Sequence, residues 1–551
     1  MSVKVQPQWI AKMYPAKVGR DHLGLGSVSS DQILPTLSPG INVLTIHPRY
    51  HSFYTFLLDE FWRRDRPRSG SAWVRFYRPR EFIFSIGAYL CDRPEHGEMA
   101  TVVGGQKTAP LAVRQLDVYD TTFNYIKSEL GGYGLYYGTV IAALGLIYPG
   151  GPGFPYPVDV PTELGKEVAT AFREAVKDTT YYRDYFDKDA TEVPIEVVRE
   201  YIRHACLCQL QLPDAPDCPL LLNAFLHGGA EPEARRATFR LFLDIAAQTQ
   251  GHAIDEDAFR QLLYFQATDR GATYNPQDAV FDTYQRWRLY QAREYYAFAL
   301  NALWYYLCDW GVAQGGDIRP LELSRFWRHL EAALDFNRLA TRLNVPAPGL
   351  RISSDFHSLL DWLLTLVGAD EASFDMACRI DAPAHEHLLY RLALEDRGAP
   401  EAMIAGMVTM LALIVLRFGQ PDLWLRSEWA ISRMGADGRL SVDGFVKTMH
   451  RRLQSGTITI GEVARWLYAD YIILQHQLIA TSKLPDNTFR FRREGERLRF
   501  YSLQNSLGFM NSRFDALSTT IHELGLCGDF RQPDHSLTPD GQRLLIEGDL
   551  M

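Results

Sequence analysis

Apolar positions recur at helical spacing along most of the 551-residue chain. In His47–Trp62 the stripe Tyr50, Phe53, Tyr54, Leu57 and Phe61 predicts a helix with one face in a core. Phe82–Leu90 reads as buried. From about Ala171 to Trp310 the pattern is helical, broken by turns at Pro213–Pro219 and Gly228-Gly229, and Tyr284–Gly311 is a long aromatic helix. Leu321–Leu343 predicts a further helix, stopped by a linker, Asn344–Gly349, that holds two prolines. Asp355–Val367, Pro383–Asp396 and Ala402–Leu416 read as a helical bundle. The last is the most apolar run, and its 15 residues suit a buried central helix better than a bilayer span of ~20. Arg452–Leu484 supplies two more helices. Lys483–Phe500, with Phe489, Phe491, Leu498 and Phe500 set among arginines around Glu494-Gly495, has the pattern of a hairpin.

The stretch Phe509–Leu545 predicts a winged helix. Asn511 or Ser512 caps a helix carrying Phe514, Leu517, Ile521 and Leu524, Leu524-Gly525-Leu526 ends it, and a segment of hairpin size leads to a closing helix at Leu537–Leu545. A distant copy is expected upstream. Gly131–Ile147 is followed by a Pro/Gly-rich connection and Pro161–Ala169, so that Leu144-Gly145-Leu146 answers Leu524-Gly525-Leu526, and Thr162 and Gly165 answer Thr538 and Gly541. The fold class expected is therefore mainly α and multidomain, with winged-helix-like units near the N-terminal third and at the C-terminus. Five regions are expected: an arm, aromatic helix and basic cluster (1–80), a winged-helix-like unit (81–170), a helical domain (171–345), a helical bundle (350–482), and a basic hairpin with the C-terminal winged helix (483–551).

Composition is that of an ordinary globular protein, and the formal net charge of -9 opposes nucleic-acid binding over most of the surface. Two segments depart from it. Residues 63–80 hold seven arginines (Arg63, Arg64, Arg66, Arg68, Arg75, Arg78, Arg80) against one acid, Asp65, with Trp73, Phe76 and Tyr77 interleaved. Residues 483–499 hold six basic side chains, among them Arg490, Arg492 and Arg493, against three acids. Arginines beside aromatics suit phosphate contact and base stacking. The same residues suit a loop-to-strand surface that pairs with acids elsewhere or contacts protein. The terminal winged helix points away from DNA, since Tyr501–Met551 carries three basic residues and seven acids.

Other chemistry finds no sharp motif. Gly131, Gly132, Gly134 and Gly138 do not make a dinucleotide fingerprint, GxxxxGK[ST] is absent, His385-Glu386-His387 lacks the HExxH spacing, and Asp437-Gly438 reads as a turn. His204, Cys206, Cys208 and Cys218 offer zinc-type donors without chelating spacing, and Cys206 and Cys208, two apart in a helical run, are expected to diverge. His476, among isoleucines and leucines, reads as a core histidine. No cofactor and no metal are expected. Seven cysteines and a polar N-terminus argue for a cytoplasmic protein without a membrane partner.

The segments HPRYHSFYTFLLDEF, GGYGLYYGTVIAALGLI with PTELGKEVATAF, and LTPDGQRLL together resemble helical accessory proteins encoded in prokaryotic genome-defence loci. The resemblance implies partners such as a nuclease or an ATPase and transfers no catalytic residue. Three functions are expected from the chain. The first is a non-catalytic accessory or regulatory subunit of a complex that acts on DNA or RNA. The second is a purely structural scaffold for other protein subunits, and the third a metal-dependent nuclease whose acids are dispersed in sequence.

Overall fold

The computed structural model describes residues 21–64, 66–93, 102–188, 190–367, 379–395, 400–418 and 441–550. The protein is mainly α, with small antiparallel sheets: Val118–Asp120 with Glu192–Pro194, Ile147–Tyr148 with Val160–Pro161, and a three-stranded one ordered Leu321–Glu322, Arg497–Phe500, Phe491–Glu494. The chain forms two compact units that interleave along the sequence. One, here the repeat unit, comprises Leu34–Phe259, Tyr274–Tyr284 and Asn511–Met551; the other, the insert unit, comprises Met1–Ile33, Arg260–Thr273 and Gln285–Met510.

Around Pro400–Phe418 the insert unit builds its bundle. Every side chain from Met403 to Phe418 that is described is buried, and helices Leu323–Ala333, Phe336–Leu343, Phe356–Val367, Glu386–Glu395 and Val442–Gln454 all pack on it. The apolar run at 402–416 is thus the bundle's central helix, as its hydropathy predicts. The stretch expected as one helix, Leu321–Leu343, is two, because Asp335 accepts the N–H groups of Asn337 and Arg338 and starts a new one. The hairpin at 491–500 forms about Gly495, whose φ of 65° is left-handed. Arg260 links the two ends of the long 285–510 segment, donating to Gln291 Oε1 at 2.9 Å and to the carbonyl of Met510. The expected turn at Asp437-Gly438 lies outside the described residues.

In the repeat unit, helix Arg49–Arg63 is buried on every side from Arg49 to Phe61, where its stripe predicts burial on one face. Its charged residues Asp59 and Glu60 both accept hydrogen bonds from Arg173. The arginine-rich stretch joins two helices and does not lead to a strand: Arg64, Arg66 and Arg68 lie in the connection, and Arg75, Arg78 and Arg80 on the second helix. Ser69 accepts the N–H of Ala72 to start Gly70–Leu90, which runs through Pro79 and across the boundary expected at residue 80.

The correspondence between 144–165 and 524–541 extends to individual atoms. Gly145 and Gly525 take φ of 72° and 73°. Leu146 N–H donates to Ile141 O and Leu526 N–H to Ile521 O, both at 3.1 Å. Ile147 pairs with Pro161, and Cys527 with Leu537. The hydroxyl of Thr162 donates to Gly145 O and accepts from Gly165 N–H; that of Thr538 donates to Gly525 O and accepts from Gly541 N–H.

Upstream helices repeat as well. Helix Glu163–Val176 packs on Arg49–Arg63, with Thr55 against Gly165; helix Pro539–Glu547 packs on Pro232–Gln248, with Leu243 against Gly541. Glu81, on Gly70–Leu90, accepts the N–H of Gly132, and Glu256, on Glu256–Phe265, accepts that of Ser512. Each copy is therefore two helices, an excursion, a third helix, a hairpin connection and a closing helix. In the first copy the excursion covers 91–130. In the second it holds nearly all of the insert unit.

Candidate nucleic-acid and protein-docking surfaces

The third helix of the first copy starts as the π-turn Tyr133–Tyr137 and continues through Gly138–Ala143. Its start is fixed by Glu81, which accepts from Gly132 and Tyr133 N–H at 2.9 and 3.1 Å and from the hydroxyls of Tyr54 and Tyr125. Burial raises the Glu81 carboxyl above its ordinary range even though these four donors oppose the rise. Leu130 and, on that helix, Leu135 are exposed, as are Tyr148, Phe154 and Tyr156 of the hairpin connection. From Leu130 to Pro161 the chain has no lysine or arginine. The segment carries one charged side chain of its own, Asp159, whose carboxylate accepts from Tyr133 Oη and Gly150 N–H, and Lys166 of helix Glu163–Val176 lies within electrostatic reach of Tyr148.

The equivalent helix of the second copy, Phe514–Glu523, is buried at most positions, leaving Asp515, Thr519 and His522 half-exposed. Phe514 stacks with Phe242 and packs at a tilt on Phe259 in the core, and Phe530 meets Phe242 edge-on. A groove-reading helix must present a row of polar side chains to base edges. This one presents three, one of them acidic, and Arg531 beside it is paired with Asp515 at 2.7 Å.

The arginines divide by their partners. Arg64 lies between Glu60 and Asp187. Arg68 donates to the carbonyls of Phe61, Trp62 and Arg64, and Arg78 to those of Ser128 and Ile126. Arg80 is buried, with the carbonyls of Phe76 and Phe186 as acceptors and both rings against its guanidinium. These four act as internal clamps. Arg63 pairs with Asp59 at 2.8 Å yet keeps its side chain 57% exposed. Arg75 is exposed, and with Arg66, Pro67 and Ala72 it lines an open hollow of about 330 Å³. In the insert unit Arg490 is buried and donates to Asn505 Oδ1 at 2.7 Å, Arg492 is half-buried, and Arg493 is exposed and paired with Glu496. Arg497 and Arg499 pair with Glu322 and Glu494.

Among the other candidates, Glu386 forms a buried pair with Arg417, at 2.5 and 3.0 Å, and accepts from Tyr264 Oη, so it serves the bundle core. His476 is a core histidine, donating from Nδ1 to His22 O and accepting Arg490 N–H at Nε2, both at 3.0 Å. His204 is exposed, and the thiol of Cys218 faces the carbonyl of Leu524. Cys206 and Cys208 do not diverge, because helix Ile195–Ala205 ends just before them and a 3₁₀ turn starts at Leu207. Both meet Cys91, a residue over 100 positions away in sequence. No described helix is long and apolar enough to cross a membrane. No protein-family model, curated protein or solved structure matches the chain.

Proposed function

We propose that the protein is a non-catalytic accessory or regulatory subunit of a multiprotein complex that acts on nucleic acid. In this reading the two copies of the repeat unit are winged-helix modules, and their third helices and wings dock protein. The observation that carries it is the segment 130–161, which exposes Leu130, Leu135, Tyr148, Phe154 and Tyr156 and has no lysine or arginine of its own. DNA-binding surfaces take much of their affinity from phosphate neutralisation, whereas aromatic side chains anchor protein interfaces. A nuclease or an ATPase is the kind of partner this role calls for. Phosphate contact falls to Arg63, Arg66 and Arg75, with Arg492 and Arg493 in the insert unit as a second group.

Two measurements test this. Binding of labelled duplex and single-stranded DNA and RNA is followed against salt, for the intact chain and for the variant Arg63→Ala/Arg66→Ala/Arg75→Ala. The expected result is a log–log slope that flattens by about 0.7–0.9 for each phosphate the variant no longer neutralises. Absence of binding at low salt overturns the nucleic-acid half of the reading and leaves the scaffold, which the four clamped arginines favour. For the protein half, a partner that copurifies with the intact chain is lost from Phe154→Asp/Tyr156→Asp while the circular dichroism spectrum stays unchanged. Retention of the partner overturns the docking face.

A further inference from the structure

The thiols of Cys91, Cys206 and Cys208 come from two separate stretches of the repeat unit, and their sulfurs all lie within 4.8 Å of one another. Cys91 is the residue after helix Gly70–Leu90. Its segment is held against helix Ile195–Ala205 by Arg203, whose guanidinium binds Asp92 at 2.7 Å, and by Arg93, which donates to the Arg203 carbonyl at 3.0 Å. Cys206 is the C-cap of Ile195–Ala205, where the chain leaves helical geometry with ψ of 152°. That break turns Cys206 and Cys208 toward one point.

The spacing has chemical content. Cys91 Sγ and Cys208 Sγ are 3.8 Å apart, far beyond a disulfide bond of ~2.05 Å. It equals the ~3.8 Å that separates two thiolates bound at ~2.3 Å to one tetrahedral zinc. Cys206 and Cys208 are buried, and Cys91 is half-exposed, so the cluster is closed on one side and reached from solvent on the other. Binding three thiolates creates negative charge, most of which a divalent cation itself offsets. The buried guanidinium of Arg49 donates to the carbonyl of Cys206 and pairs with Asp217 at 3.2 Å.

We propose that Cys91, Cys206 and Cys208 form a three-thiolate site for a thiophilic d¹⁰ cation, Zn²⁺ in the first instance, with no fourth protein ligand among the described residues. Three metal–sulfur bonds form as three S–H protons pass to solvent, with no change of oxidation state. Soft thiolate sets select zinc or cuprous ions over magnesium and calcium.

The test uses the full chain purified under reducing conditions, loaded with Zn²⁺ and separately with Co²⁺. One metal per chain is expected, together with the thiolate-to-cobalt charge-transfer band and the d–d absorption of a tetrahedral ion. Cys91→Ser, at the half-exposed ligand, is expected to lose the charge-transfer intensity and bring the zinc content toward zero with its circular dichroism spectrum unchanged. Cys208→Ser is expected to do the same, and Cys218→Ser to keep both signals. Overturning results are no tightly held zinc or cobalt in the reduced protein, or loss of metal from Cys218→Ser equal to that from Cys91→Ser. A Cys91–Cys208 disulfide in the isolated protein that binds no zinc after reduction also overturns the proposal.

Discussion

The α-carbon of Gly541 lies under the carbonyl oxygen of Leu526, where a Cβ would come within 1.9 Å. Gly165 stands in the same relation to Leu146, at 2.0 Å. Each glycine is the third residue after a threonine N-cap and lets the closing helix start against the preceding turn. The obstructing atom is backbone and cannot swing away. Gly165→Ala and Gly541→Ala are each expected to lower stability by about 3 kcal/mol, near the upper end of overpacking costs. Urea unfolding checks both, and a loss below about 0.5 kcal/mol in either would refute the close contact.

The turn glycines are alike in backbone and different in surroundings. Gly525 has open space around it, whereas a Cβ on Gly145 would meet Gly229 N at 2.6 Å. Asparagine tolerates the left-handed region. Gly525→Asn is therefore expected to cost about 1 kcal/mol, a residual left-handed penalty, and Gly145→Asn to cost that plus a further ~2 kcal/mol of steric strain. Equal melting temperatures for the two variants would contradict the packing of Gly228-Gly229 against 143–145.

Arg80 and Arg75 are five residues apart on one helix and have opposite roles. Arg80→Ala removes a buried guanidinium from two carbonyls and two rings, and is expected to destabilise by about 2–3 kcal/mol. Arg75→Ala, at an exposed position, is expected to stay within about 0.5 kcal/mol. Denaturant midpoints measure the difference, and an equal loss at both positions would count against it.

Three buried histidines make the protein acid-sensitive. Burial lowers His51 to about 4 against the carbonyl of Pro48, which favours its proton, and with Arg235 opposing it further. Burial likewise lowers His385 to about 4 and His476 to about 3. Between the ordinary value of 6.5 and these values the unfolded chain holds protons that the folded one does not, so stability falls as pH falls through this window. Each histidine contributes a loss of ~2 kcal/mol by pH 5. His476→Gln is expected to flatten the dependence of unfolding free energy on pH between 6.5 and 5 by close to one proton, and an unchanged slope would rule out a neutral His476.

Local signals in the sequence carried much of this. The central helix at 402–416, the hairpin about Gly495 and the glycine–threonine grammar shared by 144–165 and 524–541 all depend on near neighbours, which periodicity and turn chemistry register. What depended on distant partners was not legible. The arginines of 63–80 look alike in sequence, but Arg78 is clamped by carbonyls at 126 and 128 and Arg80 by that of Phe186, acceptors that have no side-chain signature. Cys91 stands alone in sequence, and only a helix end at Ala205 brings it two more thiols. The first two helices of the second copy were equally hidden, because their third follows some 250 residues later.

The clasp at Arg260 bears on that distance. Closing a flexible loop of the length from 285 to 510 would cost the second copy about 5 kcal/mol of chain entropy. With one guanidinium holding Gln291 at the start and Met510 at the end, the folded insert hands the chain back close to where it received it. To the helices it interrupts, an entire bundle then counts as little more than a tight turn. Arg260→Ala would remove the clasp between Gln291 and the carbonyl of Met510 and let the two ends of the 285–510 segment part.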